Sequence, residues 1–193
     1  MPMSSSASLF PAFLKLAGRP ALVVGGGRVA ASKLPALLDA GALVTVVAPE
    51  VRPEIEAAGV AVRRRAFAAS DLDGAWFVVA AATPEVNEQA ARAAEERRVF
   101  VNAVDDPRRA SAYLGGVVRR GGVAVAISTD GAAPALAGLL REALDALLPA
   151  DLETWLAEAR RLKTGWRRDR VPMTARRPLL LDALNRIYAG AAR

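Results

Sequence analysis

The sequence predicts an α/β protein: a doubly wound parallel sheet, then a β-hairpin segment, then a small helical C-terminal region. Three observations carry this. Short apolar runs alternate with helical patterns from residue 21 to residue 104, the mark of a parallel sheet whose crossovers are helices. A strand-like run, Ala21-Leu22-Val23-Val24, goes straight into Gly25-Gly26-Gly27-Arg28-Val29-Ala30 and a helical pattern. That fits G-x-G-x-x-A, the opening turn of a Rossmann-type dinucleotide-binding unit. After residue 107 the pattern changes: Tyr113 to Arg120 and Val123 to Thr129 flank Gly121-Gly122, the composition of a tight hairpin.

Taken in order, Val23-Val24 belongs to the first strand, and Arg28 to Ala40 is its helix, ended by Gly41 and expected to kink at Pro35. Leu43 to Val47 is the second strand, closed by Ala48-Pro49-Glu50, with a short helix over 53–58. Val60 to Arg64 alternates like an edge strand, and Trp76 to Ala81 is continuously apolar, as in a strand buried on both faces. Pro84 to Arg97 is helical and Val99 to Val104 is the next strand. Beyond the hairpin, Pro134 to Leu148 is an amphipathic helix stopped by Pro149. Helix resumes at Asp151, breaks over the basic stretch 164–177, and returns from Pro178 to Tyr188. The expected organisation is a dinucleotide-binding domain over 1–112, a hairpin and helix over 113–149, and a helical C-terminal domain over 150–193. An isolated hairpin cannot bury its apolar alternation alone. It either pairs with a second copy, making a homodimer, or folds onto its own tail helices.

Composition narrows the chemistry. The 193 residues contain no cysteine and no histidine. Disulfides, thiolate catalysis and the commonest metal ligand are thereby removed, as is the commonest general base near neutral pH. Acid–base work falls to carboxylates, tyrosines, lysine or the substrate. The net charge is +6, and of 26 basic residues only Lys15, Lys33 and Lys163 are lysines. So arginine-rich a chain suits a polyanionic small molecule or nucleic acid, as does a plain genomic bias toward arginine. No helix-turn-helix with a basic recognition helix stands out, which argues against nucleic acid. No apolar run approaches the ~18 residues of a membrane span, and the first ten residues lack a signal-peptide pattern. The expectation is a cytoplasmic protein.

In open α/β sheets ligands bind beyond the carboxyl ends of the strands. Within the glycine loop, Gly25 supplies the tight turn, Gly27 the close approach to a pyrophosphate, and Ala30 close helix packing. Gly26, Arg28 and Val29 complete a helix N-terminus that offers its N–H groups to phosphate. Glu50 is either a ribose contact or a solvated loop acid. Thr83 is either a contact for the nicotinamide half or a helix N-cap ahead of Pro84, with Asn87 one turn further. Asp105 and Asp106 are adjacent carboxylates at a strand end: one can serve as a base in a partly closed cleft, or both belong to the turn before Pro107.

At these residues the chain resembles the precorrin-2 dehydrogenases and sirohydrochlorin ferrochelatases, including the N-terminal module of siroheme synthase. The resemblance shows in Leu9-Phe10-Pro11, VVGGGRVAASK at 23–33, AATPEVN at 81–87, VNAVDDPRRAS at 101–111 and VAVAISTDGAAPALA at 123–137. It continues in Leu140-Arg141-Glu142. It implies NAD as cofactor and oxidation of precorrin-2 to sirohydrochlorin in siroheme or cobalamin biosynthesis, with insertion of ferrous or cobaltous ion in some members. The metal ligands stay unknown. It implies a homodimer, and Asp105 as the catalytic carboxylate. Substrate contacts are implied or expected at Asp106, at Arg108 and Arg109, whose guanidinium groups can fork onto carboxylates, and at Ser128 and Thr129. The last two otherwise cap the following helix. Two stretches depart from the family pattern: Tyr113-Leu114-Gly115-Gly116, and Thr129-Asp130-Gly131 where a Thr-Gly-Gly type turn is usual. The methyltransferase part of the fused members has no counterpart, so precorrin-2 is expected from a separate enzyme. The competing expectation is a dinucleotide-sensing module that performs no chemistry.

Overall fold

The computed structural model describes residues 8–104 and 106–191, with side chains to residue 189. The chain divides into two compact units after Leu114. In the first, five strands form one parallel sheet in the order β3-β2-β1-β4-β5. They are β1 (Pro20–Val24), β2 (Leu43–Val47), β3 (Ala61–Arg63), β4 (Phe77–Ala80) and β5 (Phe100–Ala103). The crossovers are α1 (Arg28–Asp39), α2 (Pro53–Ala57) and α3 (Pro84–Glu96).

The strands read as apolar runs because both sheet faces are covered. Ala21, Val23, Val44, Val46, Phe77 and Val79 pack with Leu34 and Leu37 of α1 and Ile55 of α2. Their alternates Leu22, Val24, Val47, Val78, Ala80 and Val101 pack with the alanine face of α3, Ala90, Ala91 and Ala94. Each such valine or leucine contributes roughly 1.5–3 kcal/mol on burial, and alanines on α3 let helix and sheet come close. The order reverses at β1, whose neighbours β2 and β4 carry helices to opposite faces. Such a reversal is where an open α/β sheet forms its ligand crevice.

A 3-10 turn at Ala69–Leu72 has no counterpart in the sequence reading. It buries Leu72 in the core and places Asp71, 8% exposed, beside β3.

In the second unit β6 (Gly116–Arg120) and β7 (Val123–Ile127) form the expected antiparallel hairpin, Arg120 facing Val123. Gly121 and Gly122 both have positive φ, 54° and 77°, the conformation a two-residue type I′ turn demands. Strand β6 begins at Gly116, not at Tyr113. The Tyr113 hydroxyl donates to the Pro107 carbonyl at 2.7 Å, within the first unit. Then come α4 (Pro134–Leu147), α5 (Leu152–Arg168) and α6 (Met173–Ala191). The hairpin tip rests on α5: a Cβ at Gly121 would fall 2.4 Å from the Glu153 nitrogen, and one at Gly122 2.7 Å from Leu156. Of the two fates weighed for the hairpin, packing on its own helices is seen at this tip.

The basic break expected over 164–177 shrinks to residues 169–172. Leu152, Trp155, Leu156, Ala159, Leu162 and Trp166 keep helical spacing and stay at least half-buried, so α5 runs through Thr164 and Gly165. Arg167 and Arg168 fall in its last turn, where cations favour the helix dipole. Arg170, at φ 54°, makes the turn, and α6 starts five residues before Pro178, which it carries inside.

Candidate functional site

The glycine loop joins β1 to α1 at the carboxyl end of the sheet. Gly25, at φ 122°, donates its N–H to the Val47 carbonyl at 2.9 Å, and a Cβ there would fall 2.2 Å from the Ala81 oxygen. A Cβ on Gly26 would fall 1.8 Å from the Glu50 oxygen, whereas one on Gly27 would meet nothing within 4 Å. The first two glycines are thus required by the protein's own backbone, and the third leaves open space. Gly27 is the N-cap of α1 with no side-chain cap bond. Arg28 and Val29 are exposed while Ala30 is fully buried against the sheet. The open, uncapped helix end and the closely packed Ala30 are the arrangement a pyrophosphate needs.

Neighbouring loops are fastened to it. Besides the Glu50 backbone against Gly26, the Arg52 N–H donates to the Gly26 carbonyl at 2.9 Å. The Glu50 side chain stays exposed. Across the sheet, Ala81 N–H donates to the Val24 carbonyl at 2.8 Å. Thr83 is the N-cap of α3 by backbone conformation, but its hydroxyl makes no cap bond and the residue is exposed. Asn87, 9% exposed, spends both ends of its carboxamide on Ala82: Oδ1 accepts from the N–H at 2.8 Å and Nδ2 donates to the carbonyl at 3.4 Å. It shapes the loop under Thr83, with its own polar atoms already used.

Asp105 lies outside the described residues. On either side of it, Val104 N–H donates to the Ala80 carbonyl at 2.9 Å and Asp106 N–H to the Ala103 carbonyl at 3.4 Å. The chain beyond is pinned back along β5: Ser111 and Ala112 donate to the Val101 carbonyl, Ser111 Oγ accepts from Val101 N–H, and Asn102 Nδ2 donates to the Ala112 carbonyl. Arg109 pairs with Asp106 at 2.6 Å and with Glu88 at 2.8 Å. Its guanidinium holds the Asp106 carboxyl below the usual carboxylate range. Asp106 and Arg109 therefore satisfy each other, while Arg108 is exposed with no ion pair among the described residues.

Ser128 and Thr129 belong to the second unit. There the Ser128 hydroxyl accepts from Asp130 N–H at 3.1 Å and the Thr129 hydroxyl from Ala133 N–H at 3.3 Å, so both shape the turn ahead of α4. Asp130 sits at φ 53°, a conformation in which glycine is at ease.

Residues 12–116, more than half of the chain, match the family model described as putative NAD(P)-binding, and residues 120–147 match that of the sirohaem biosynthesis protein central region. The chain belongs to this NAD(P)-binding family of sirohaem biosynthesis. Among its relatives is siroheme synthase 3 of Aeromonas hydrophila, 48% identical over 147 residues, which are 74% of this chain and 31% of that protein. The siroheme synthase of Photorhabdus laumondii is 39% identical over 184 residues, 93% of this chain and 39% of that one. The chain spans about a third of the length of these curated relatives. A solved structure, SirC, precorrin-2 dehydrogenase, superimposes with a TM-score of 0.69 at 29% identity, covering 90% of this chain and 88% of that one.

Membership fixes the cofactor class as a nicotinamide dinucleotide, and the loop fits it: open space at Gly27, an uncapped α1, and exposed Glu50 and Thr83 on the loops flanking it. No helix among the described residues is long and apolar enough to cross a membrane, and no group of three or more potential metal ligands occurs among them. The residue that sequence reasoning missed is Asp71. Its carboxylate, buried beside β3, accepts from Arg63 at 2.7 Å, from both terminal nitrogens of Arg65, and from Ala68 N–H at 3.0 Å. Three adjacent arginines at a strand end are the one signal that would have prompted a search for their partner.

Proposed function

We propose that this chain is an NAD-dependent precorrin-2 dehydrogenase that makes sirohydrochlorin. The observation that carries this is the likeness to SirC, precorrin-2 dehydrogenase, which extends over nearly the whole of both chains. The family's siroheme synthases point to the same substrate class. Gly25 to Ala30 hold the dinucleotide's pyrophosphate, Glu50 its adenosine ribose, and the exposed Thr83, whose hydroxyl lies by the Glu85 carboxylate, serves the nicotinamide half, with Asn87 holding that loop in shape.

A nicotinamide dinucleotide held there would supply the hydride acceptor for the oxidation. This chain's part is to take the proton released beside it, and Asp105 is the residue proposed for that step. One precorrin-2 and one NAD⁺ then give sirohydrochlorin, NADH and a proton, which the carboxylate passes to solvent. Asp106 is held ionised by Arg109, which weakens it as a base. Arg108 is available to fork onto a substrate carboxylate; Arg109 reaches substrate only by leaving Asp106 and Glu88. Ser128 and Thr129 are further substrate contacts in this reading, through hydroxyls that still have donor capacity. With neither histidine nor cysteine in the chain, ferrous or cobaltous ion insertion falls to carboxylates that accept pyrrole protons, Asp105 first.

The functional divisions are 1–112 for cofactor, 113–149 for dimerisation and 150–193 for the helical tail, in a cytoplasmic homodimer. Exposed Val117, Leu136, Leu139 and Leu147 on the hairpin and α4 favour a second copy covering this unit. The test is turnover of enzymatically made precorrin-2 with NAD, followed through NADH and the sirohydrochlorin spectrum. Asp105→Ala is expected to lower kcat at least about 100-fold, the loss typical of a general base. Dinucleotide binding without turnover would instead make the chain a sensor, and unchanged turnover in Asp105→Ala would remove the base assignment. Adding ferrous or cobaltous ion to sirohydrochlorin tests insertion separately.

A further inference from the structure

We propose that Asp71 and Glu56 set the coenzyme preference of this chain by neutralising the arginine triplet Arg63-Arg64-Arg65, so that the adenosine ribose is accepted without a 2′-phosphate. This rests on a dinucleotide occupying the glycine loop. The triplet stands where such a phosphate would be met. Strand β3 lies beside β2 with Val47 opposite Arg63, and Ala48 N–H donates to the Arg63 carbonyl at 3.2 Å. The end of β3 is thereby tied to the loop that carries Glu50, and that loop is itself packed on Gly26. In this fold an acid at the end of the second strand meets the ribose hydroxyls, while a nearby arginine accommodates a 2′-phosphate. Neighbouring strands are about 4.8 Å apart, so an arginine set free at the end of β3 reaches the end of β2.

None of the three is free. Arg63 and Arg65 converge on Asp71, whose side chain is 1% exposed while theirs are about half exposed, and Arg64 pairs with Glu56. Arg52, on the Glu50 loop, is held by Glu54 at 2.9 Å. Four arginines are thus paired with three carboxylates, Glu54, Glu56 and Asp71, and Glu50 adds a fourth negative charge. Among these eight groups no net positive charge is left for a doubly charged phosphate, whereas two ribose hydroxyls lose nothing. Asp71 touches no ligand in this scheme. It acts as a positioning residue through Arg63 and Arg65.

The experiment compares binding of 5′-AMP and adenosine 2′,5′-bisphosphate by calorimetry, with NAD and NADP as the full-length pair, to the whole chain. The wild type is expected to bind the forms lacking the 2′-phosphate more tightly. Asp71→Asn keeps the shape and an acceptor for Ala68 N–H while freeing two guanidinium groups. It should raise the affinity for the bisphosphate relative to 5′-AMP about tenfold, the worth of roughly one charge-assisted contact. Adding Arg65→Gln should remove most of that gain. A merely structural role for Asp71 would weaken both ligands together and leave the ratio alone. Should Asp71→Asn not fold, the exposed Glu56→Gln decides, with a relative gain of about threefold expected from a single half-exposed arginine. Ratios unchanged within twofold in the folded variants overturn the proposal, as does a wild type that prefers the bisphosphate. If NAD binds and the ratios do not move, only this inference fails. If neither NAD nor 5′-AMP binds the wild type, the cofactor reading fails with it.

Discussion

At the end of β1 the surface of the candidate site is backbone. Gly25 and Gly26 are pressed against carbonyls of neighbouring loops, Gly27 stands open, and the helix behind them begins without a side-chain cap. At the end of β3, two strands away in the same sheet, the surface is made of side chains: arginines held by Asp71 and Glu56. The first surface can be disturbed only by adding atoms. The second is disturbed by changing one charge. Their responses to mutation should differ in kind, and the largest differences come from the glycines.

Gly26→Ala puts a methyl group 1.8 Å from the Glu50 oxygen and 2.9 Å from Val51 Cα. Backbone must move, so the variant should lose at least about 3 kcal/mol, the upper range for overpacking, and its dinucleotide binding with it. Gly27→Ala separates fold from site: its Cβ meets nothing and its φ of −83° suits any residue. Thermal stability should stay within about 0.5 kcal/mol of wild type, while affinity for NAD falls at least about tenfold as the methyl occupies the space a pyrophosphate needs. Equal losses in the two variants, read by melting and calorimetry, would erase the distinction between a glycine the fold needs and one the ligand needs.

Next in size is Asp71. Its carboxyl is held far below its ordinary range, first by the Arg65 hydrogen bonds and then by the Ala68 amide and Arg63. A carboxyl depressed on folding contributes stability that is fully present above its unfolded pKa of about 3.9 and fades as pH falls below it. Asp71→Asn should therefore cost about 2 kcal/mol near neutral pH, in line with lost hydrogen bonds to a charged group. Wild type and variant should converge as the medium is acidified through pH 4 toward 1. Urea melts across that range check it; a gap that widens on acidification would contradict the assignment.

The same contrast explains what could be read from residues alone. The five strands, their order of appearance and the glycine loop were legible because each rests on a local rule: apolar runs of strand length, glycine where φ is positive, a small residue where helix meets sheet. Asp71 was not. Nothing in Ala68-Ala69-Ser70-Asp71-Leu72 marks a buried acid, since its burial comes from Leu72 entering the core and its partners lie six and eight residues earlier. The basic stretch at 164–177 misled for a related reason. Charge density suggested a loop, but Leu162 and Trp166 keep the spacing that holds α5 together. Asn87 shows the intermediate case: its place one turn into α3 was legible, while the two bonds to Ala82 that occupy it depend on how the β4–α3 loop folds.

That occupation makes Asn87 the next test. Asn87→Ala removes both contacts to Ala82 from a nearly buried position, and should cost about 2 kcal/mol. The loss should appear equally in the presence and absence of NAD if Asn87 only shapes the loop. A stability loss that grows on adding NAD would show that the carboxamide, by holding the loop or by meeting the ligand, also supports dinucleotide binding.

The smallest effect expected is at Arg109. Its two ion pairs, with Asp106 and Glu88, lie at the surface, where such pairs contribute little to stability. Breaking them frees the Asp106 carboxyl, which Arg109 holds below its usual range, to titrate nearer an ordinary carboxylate. Arg109→Gln should therefore leave the melting temperature nearly unchanged. It should raise KM for precorrin-2 less than about twofold, because a guanidinium already shared between two carboxylates has little left for a third. Arg108→Gln, at a residue with no ion pair among the described residues, should raise KM several-fold at unchanged kcat, the pattern of a lost ground-state contact. If the order is reversed, and Arg109→Gln is the variant that weakens substrate, then Arg109 exchanges its Asp106 and Glu88 partners for substrate carboxylates. The side-chain network beside β5 would then be a switchable device, unlike the fixed backbone of the glycine loop.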